Sequence, residues 1–360
     1  RAGRFEEAED LYWQAMQQDN THPEPYHLLG MIALQAGKLD PARELMQTAQ
    51  ELDPDNPVYH ANMGTVHYQA GDLAAAEAAY RKAVELDPDY AEAQFNLGIL
   101  LKDQNRFWDA VGPLDEAARL KPEAKAFAPL AEVLIKLDHY EQADEVARAA
   151  IRLRPQDRTE KESLVRALQG LGRPREALPW AKELEAEAPD VARYHQLLSG
   201  VYLESGQPQQ ANEEARRAYQ LDPDNPNVCH ALAQTLMAGI DWDEAMAVNE
   251  RALALAPENE ALIAQKANLL EHKGRLEEAY EVIRPLIKDR KQYQVAALNV
   301  FGNIAKEFGA EEEAARLLSN CLNSSGLPKG VQMGMNFQLG SLFDKAGNYD
   351  EAFQAYQRGN

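Results

Sequence analysis

Apolar residues in this chain recur at three- and four-residue spacing. In one stretch Leu97, Gly98 and Leu101 fall on a single helical face, and in another Ala76, Tyr80, Ala83 and Leu86 do the same. Paired helices of this kind follow one another along the whole sequence. Seven prolines from Pro54 to Pro257 return at intervals of 33 or 34 residues, and eleven alanines from Ala8 and Ala42 to Ala352 mark the second helix of each pair. Five residues before most of those alanines stands a glycine, such as Gly37, Gly71 or Gly206, where the chain must turn. Gly239 is displaced by one position. Each pair leaves one face unburied until its neighbour stacks on it, which predicts one continuous array over residues 1–360.

The segment NMGTVHYQAGDLAAAEAAYRKAVELDP, residues 62–88, resembles the tetratricopeptide (TPR) repeat in full. Gly64 and Ala76 are small so that the two helices can touch, and Leu86 and Pro88 close the unit. The resemblance extends over essentially the whole chain. It implies an all-α fold, an α-α superhelix of the TPR solenoid type, with one lone second helix followed by about ten helix-turn-helix repeats. Residues 319–330, SNCLNSSGLPKG, read as a longer loop between the last two repeats. Lys266 stands where other repeats place Leu or Met, and its stem is expected to pack while its ammonium reaches outward.

Composition narrows the function. The formal charge is −21, from 58 acidic and 37 basic residues, so a phosphate backbone is repelled and nucleic acid is not an expected partner. Two distant cysteines, Cys229 and Cys321, make neither a disulfide framework nor a CxxC metal site, and a reducing, cytoplasmic setting is expected. The sequence has no run of 18 apolar residues that would span a membrane. Phosphate-cradling loops, the zincin motif and the nucleophile elbow do not occur. His60 and His67 sit at packing positions of one helix and read as hydrogen-bonded core histidines. The expectation is therefore a chain with no catalytic residues, no metal and no cofactor, whose business is to hold another protein.

The resemblance implies that first helices line a concave groove, with the second, fifth, ninth and twelfth residues of each repeat on its inner wall. Those positions include His27, Thr65, Tyr68, Phe95, Ile99 and Lys102. Phe95 and Tyr68 are the expected aromatic anchors. Asn62 and Asn96 resemble two rungs of the asparagine ladder with which the TPRs of O-linked N-acetylglucosamine transferase clamp a peptide backbone; bonding within their own helix is the alternative. Lys102, Lys125, Arg166 and Arg193 project to the wall at mid-chain. They read either as a solvated face of mixed charge or as a site for an acidic peptide. The lysine and asparagine pair of the carboxylate clamp used by TPR co-chaperones is absent from the fifth and ninth positions.

Residues 269–287 and 327–360, the latter ending YDEAFQAYQRGN, resemble the end of the TPR region in bacterial proteins where such repeats precede a sulfotransferase domain. That resemblance implies a partner-recruiting arm whose catalytic domain follows Asn360, and that the chain is a piece of a longer protein. The alternative is a stand-alone TPR adaptor in a secretion, pilus or envelope assembly.

Overall fold

The protein is described from a computed structural model over residues 2–360, apart from 123–124, 288–294, 324–326 and 328. Among the described residues there are 21 α-helices and one 3-10 turn, and no strand. The fold is all-α, of the TPR solenoid class. By its internal contacts the chain divides into two compact units, residues 1–163 and 164–360.

In the first unit a lone helix α1 (Ala2–Gln18) precedes four hairpins: α2 (Pro23–Gln35) with α3 (Leu39–Leu52), α4 (Pro57–Gln69) with α5 (Leu73–Leu86), α6 (Ala91–Asp103) with α7 (Phe107–Leu120), and α8 (Phe127–Lys136) with α9 (Tyr140–Leu153). Helix α10 (Arg158–Gly170) contains the unit boundary and is followed by α11 (Pro174–Glu187). The second unit continues with α12 (Ala192–Glu204) and α13 (Pro208–Leu221), α14 (Pro226–Ala238) and α15 (Trp242–Leu255), and α16 (Glu260–His272) and α17 (Leu276–Ile287). It ends with α18 (Val295–Ile304), extended by the 3-10 turn Ala305–Phe308, against α19 (Glu311–Asn323), and α20 (Lys329–Lys345) against α21 (Tyr349–Gly359). A lone second helix and ten hairpins is the order the repeat pattern predicts. Helices claim residues 319–323 and 329–330 of the expected long loop; of the remainder only Leu327 is described.

Local chemistry explains where the helices start and stop. In the run Asp53-Pro54-Asp55-Asn56-Pro57, the Asn56 carboxamide oxygen accepts from the Val58 amide at 3.1 Å and Pro57 takes the first helical turn, where its missing N–H is no loss. Asp72 caps α5 by accepting from the Ala75 amide at 3.1 Å. Between them Gly71 adopts φ 81°, the left-handed turn that a side chain would resist.

Helix contact within a hairpin depends on small residues. Nine alanines of the ladder, from Ala42 to Ala314, are fully buried at 0% exposure and Ala352 is at 3%; the side chain of Ala8 lies outside the described residues. A Cβ added to Gly64 would meet the Tyr80 ring at 2.7 Å, and one added to Gly98 would meet Leu114 Cγ at 2.5 Å. Close packing of this kind leaves no room to yield.

Three described turns depart from the glycine rule: Asn105 and Asp138 take the left-handed position at φ 59° in the α6–α7 and α8–α9 corners, and the third turn gives it to a β-branched residue. At the α14–α15 corner Gly239 has an ordinary φ of −84°, and Ile240 takes the left-handed conformation at φ 64° with 72% of its surface exposed. The one-residue displacement of Gly239 thus shifts the left-handed position onto a β-branched residue, which is strained there. Lys266 behaves as its sequence suggests: it is partly buried, with its ammonium 3.8 Å from Glu250.

Three outcomes follow for stability. Ile240→Gly should raise stability by about 1 kcal/mol by releasing left-handed strain, seen as a higher urea midpoint with an unchanged slope. Gly64→Ala should lower it by about 1–3 kcal/mol through overpacking against Tyr80 in the same measurement. The third concerns Glu160, fully buried in α10, which accepts from Arg154 at 2.7 Å through Oε1 while Oε2 has no partner. Burial pushes its carboxyl up to about 7, against the opposing pull of Arg154. Because the unfolded value is about 4.3, the folded state takes up this proton first, and this group's destabilising effect is relieved as pH falls through 7 towards that value. Glu160→Gln should therefore melt higher than the wild type near pH 8, with the gap closing by about pH 5.

Candidate inner wall of first helices

Within each unit the first helices of neighbouring hairpins touch: α2, α4, α6 and α8 in the first, and α12, α14, α16, α18 and α20 in the second. Second helices make no comparable contact with one another among the described residues. The first helices therefore form a continuous wall in each unit.

In the first unit that wall is tied together across repeats. His27 is buried, its ring 4.8 Å from that of Tyr59, and its Nε2 lies 2.7 Å from the Asn62 amide nitrogen of the next first helix. Burial lowers the His27 pKa, with Glu24 opposing the shift. The amide of Asn62 thus goes to the neighbouring repeat and not to its own helix. Tyr59 donates to Glu24 at 3.1 Å, and Tyr68 donates to Asp103 on α6. The bond to Asp103 is the main cause that pushes the Tyr68 phenol up to about 12, with burial second. Lys102 is paired with Glu132 of α8 at 2.9 Å. Leu34 and Ala61 are buried. Phe95, Asn96 and Ile99 remain half-buried on its surface, and Lys125 is exposed in the turn before α8. His60, half-buried, is bonded to Gln50 at 3.0 Å and to the Pro54 carbonyl at 2.7 Å, as a packing histidine should be.

The second unit carries a corresponding set made of amides and carboxylates. Gln169 donates to Glu204 at 2.9 Å, His230 lies 3.1 Å from Gln265, Asn303 donates to Glu271 at 2.9 Å and Gln338 donates to Asn303 at 2.7 Å. Arg166 and Arg193 are exposed on this unit, and the Arg193 guanidinium lies 5.5 Å from the Tyr194 ring centre. Sequence reasoning passed over these amides because it examined each repeat position alone. The signal lies in pairs: His27 and Asn62, Tyr68 and Asp103, Gln169 and Glu204, His230 and Gln265, and Asn303 and Gln338 are all 35 residues apart.

Among the described residues no three His, Cys, Asp or Glu side chains converge as metal ligands, and no helix is long and apolar enough to cross a membrane.

Family models described as tetratricopeptide repeats match residues 1–63, 64–105, 124–157, 162–226, 202–251 and 334–359, well over half the chain. No curated protein sequence matches it. The chain is similar to a chain in the crystal structure of the APC/C hetero-tetramer Cut9–Hcn1, at 13% identity and TM-score 0.59, covering 99% of this chain and 84% of that one. A tetratricopeptide repeat protein from Parabacteroides merdae is 15% identical with TM-score 0.54, covering 69% of this chain and 98% of its own. YrrB, described as a TPR protein with an unusual peptide-binding site, is 24% identical with TM-score 0.49, covering 53% of this chain and 98% of its own. At these identities the likeness speaks to the fold alone. The ladder of buried alanines, the hairpin order and the repeat matches agree: the chain belongs to the tetratricopeptide-repeat family.

Proposed function

We propose that this chain is a scaffold that holds an extended protein segment against its first-helix wall, with Phe95 as the apolar anchor and Asn96 beside it for the segment's backbone. The observation that carries this reading is the contrast on one wall between locked and open side chains. His27, Asn62, Tyr68 and Lys102 are held by neighbouring repeats, while Phe95 stands half-buried among them without such a tie. A surface held in place before its guest arrives loses little entropy on binding. Aromatic side chains so placed carry a disproportionate share of binding energy. In this reading Tyr68 and Asn62 keep the wall in shape. Lys125 on the first unit, and Arg166 and Arg193 on the second, are each proposed contacts for acidic groups of a segment held on that unit's wall.

A narrower reading is favoured by residues 269–287 and 327–360, which resemble the end of a TPR region preceding a sulfotransferase domain. There the scaffold would recruit a substrate or partner for an enzyme of sulfotransferase type. The gene sequence beyond Asn360 tests it: a sulfuryl-donor loop supports the reading, and coding sequence without one removes it.

The scaffold reading is tested with peptides of about twelve residues selected from a random library on the wild-type chain, a length that extends roughly 40 Å. Phe95→Ala should keep the helical content and melting temperature near those of the wild type and weaken these peptides about tenfold or more, measured by titration calorimetry. Unchanged affinity would move the anchor elsewhere on the molecule.

A further inference from the structure

A cavity of about 340 Å³ opens between the last two first helices of the second unit. Gly302 and Asn303 of α18 line one side of it, and Phe337, Gln338, Ser341 and Lys345 of α20 line the other. Gly302 lets the helices close on each other here, because a Cβ at that position would meet Gln338 Cδ at 2.6 Å. Two amides of the lining are fixed by their neighbours. Gln338 donates to the Asn299 carbonyl at 2.6 Å and to Asn303 Oδ1 at 2.7 Å, and Asn303 donates to Glu271 at 2.9 Å. The Phe337 ring is held as well. It lies against Gly359 of α21, with its centre 6.2 Å from that of the Tyr356 ring, and the residue still keeps 39% of its surface exposed.

Ser341 and Lys345 are different. Neither has a hydrogen-bond or ion-pair partner among the described residues. Phe337, Ser341 and Lys345 follow one another at four-residue spacing on α20, so they form one stripe of ring, hydroxyl and ammonium. Lys345 is the only charged side chain among the described residues that line the cavity. As the last residue of α20 its ammonium also complements the helix dipole, which accounts for its place but not for the free hydroxyl and the open ring beside it. The nearest acids do not neutralise it. Glu271 stands outside the lining and accepts from Asn303, and Asp344 is turned about 100° from Lys345 around the helix axis.

We infer that this cavity receives an extended segment that lays an apolar side chain on Phe337 and sets a carboxylate at Lys345 and Ser341. This rests on the scaffold reading and names the chemistry of a guest on the second unit. The ring supplies apolar contact area, and the ammonium and hydroxyl supply a charge-assisted and a neutral donor for the two carboxylate oxygens. From Phe337 to Lys345 the helix rises about 12 Å. An extended chain covers that distance in about four residues, an even spacing that keeps the apolar side chain and the carboxylate on one face. The carboxylate can belong to an Asp or Glu side chain or to a chain terminus, since both present the same two oxygens.

The test uses the whole chain and fluorescein-labelled Gly/Ser peptides carrying one Leu and, about four residues further on, Glu, Gln or a free C-terminal carboxylate. The Glu and Gln peptides are amidated at the C-terminus, and a further Glu peptide has Gly in place of Leu. By fluorescence anisotropy the Leu–Glu peptide should bind about tenfold tighter than Leu–Gln and weaken with added salt. Loss of the Leu side chain should cost about tenfold or more. A free C-terminus that matches Glu shows that either source of carboxylate fits, and one that matches Gln assigns the seat to a side chain. Lys345→Gln, at an exposed position, should keep the wild-type circular dichroism melt and bring the Leu–Glu peptide down to the level of Leu–Gln. Ser341→Phe fills the cavity and should weaken both. Equal binding of Leu–Glu and Leu–Gln by the wild type would overturn the inference, as would an unchanged Leu–Glu affinity in Lys345→Gln or no binding of any of these peptides. If Ser341→Phe weakens both peptides while Lys345→Gln changes nothing, groove binding stands and the carboxylate seat falls. The scaffold reading itself is decided separately, by the library-selected peptides and Phe95→Ala.

Discussion

The structure depends on the close approach of two helices within each hairpin, and that approach depends on small side chains. Ala42, Ala76, Ala110 and their successors are sealed at the contact, and Gly64 and Gly98 leave no space for even a methyl group. When two backbones lie this near, the larger residues around them, Tyr80 and Leu114 among them, are pressed outward over the small ones. The hairpin then presents a shaped face on which the next can stack. Packing density, not the identity of any single large residue, sets the geometry.

From that contact follows the division of labour between the helices. Within each unit first helices meet their counterparts in neighbouring hairpins, so their polar side chains can reach one another, and second helices make no comparable contact among the described residues. Polar groups on the wall are thereby drawn into bonds between repeats: His27 with Asn62, Tyr68 with Asp103, Gln169 with Glu204. Buried polar atoms need partners, and the neighbouring repeat supplies them. Where it supplies too few donors, as at Glu271 Oε2, an acceptor is left without a partner.

Departures from the repeat mark places where local preference yields to the array. Ile240 is held in a left-handed turn that suits glycine, because the hairpin needs the corner there and Gly239 stands one residue early. Glu160 is buried at 0% exposure with half its carboxyl unpartnered, although the surrounding charge of the chain is strongly negative. Neither is a feature that intrinsic propensity would select.

The sequence by itself determined the helices, their pairing and their order, because periodic apolar residues, helix-capping runs such as Asp53 to Pro57 and the alanine ladder are all short-range signals carried within a repeat. It also assigned Phe95 and Tyr68 to first helices, where the structure has them. Which wall residues would be spent on neighbours was decided only by tertiary structure. His27, Asn62 and Lys102 look alike in sequence to Phe95 and Asn96, all being inner-wall positions, yet the first three are bonded across repeats. The register of those bonds is 35 residues, one more than the repeat, and it arises from how successive first helices are set against each other. The unpartnered Oε2 atoms of Glu160 and Glu271 were equally invisible, since whether a buried atom finds a partner is a property of distance and desolvation, which a linear sequence does not carry.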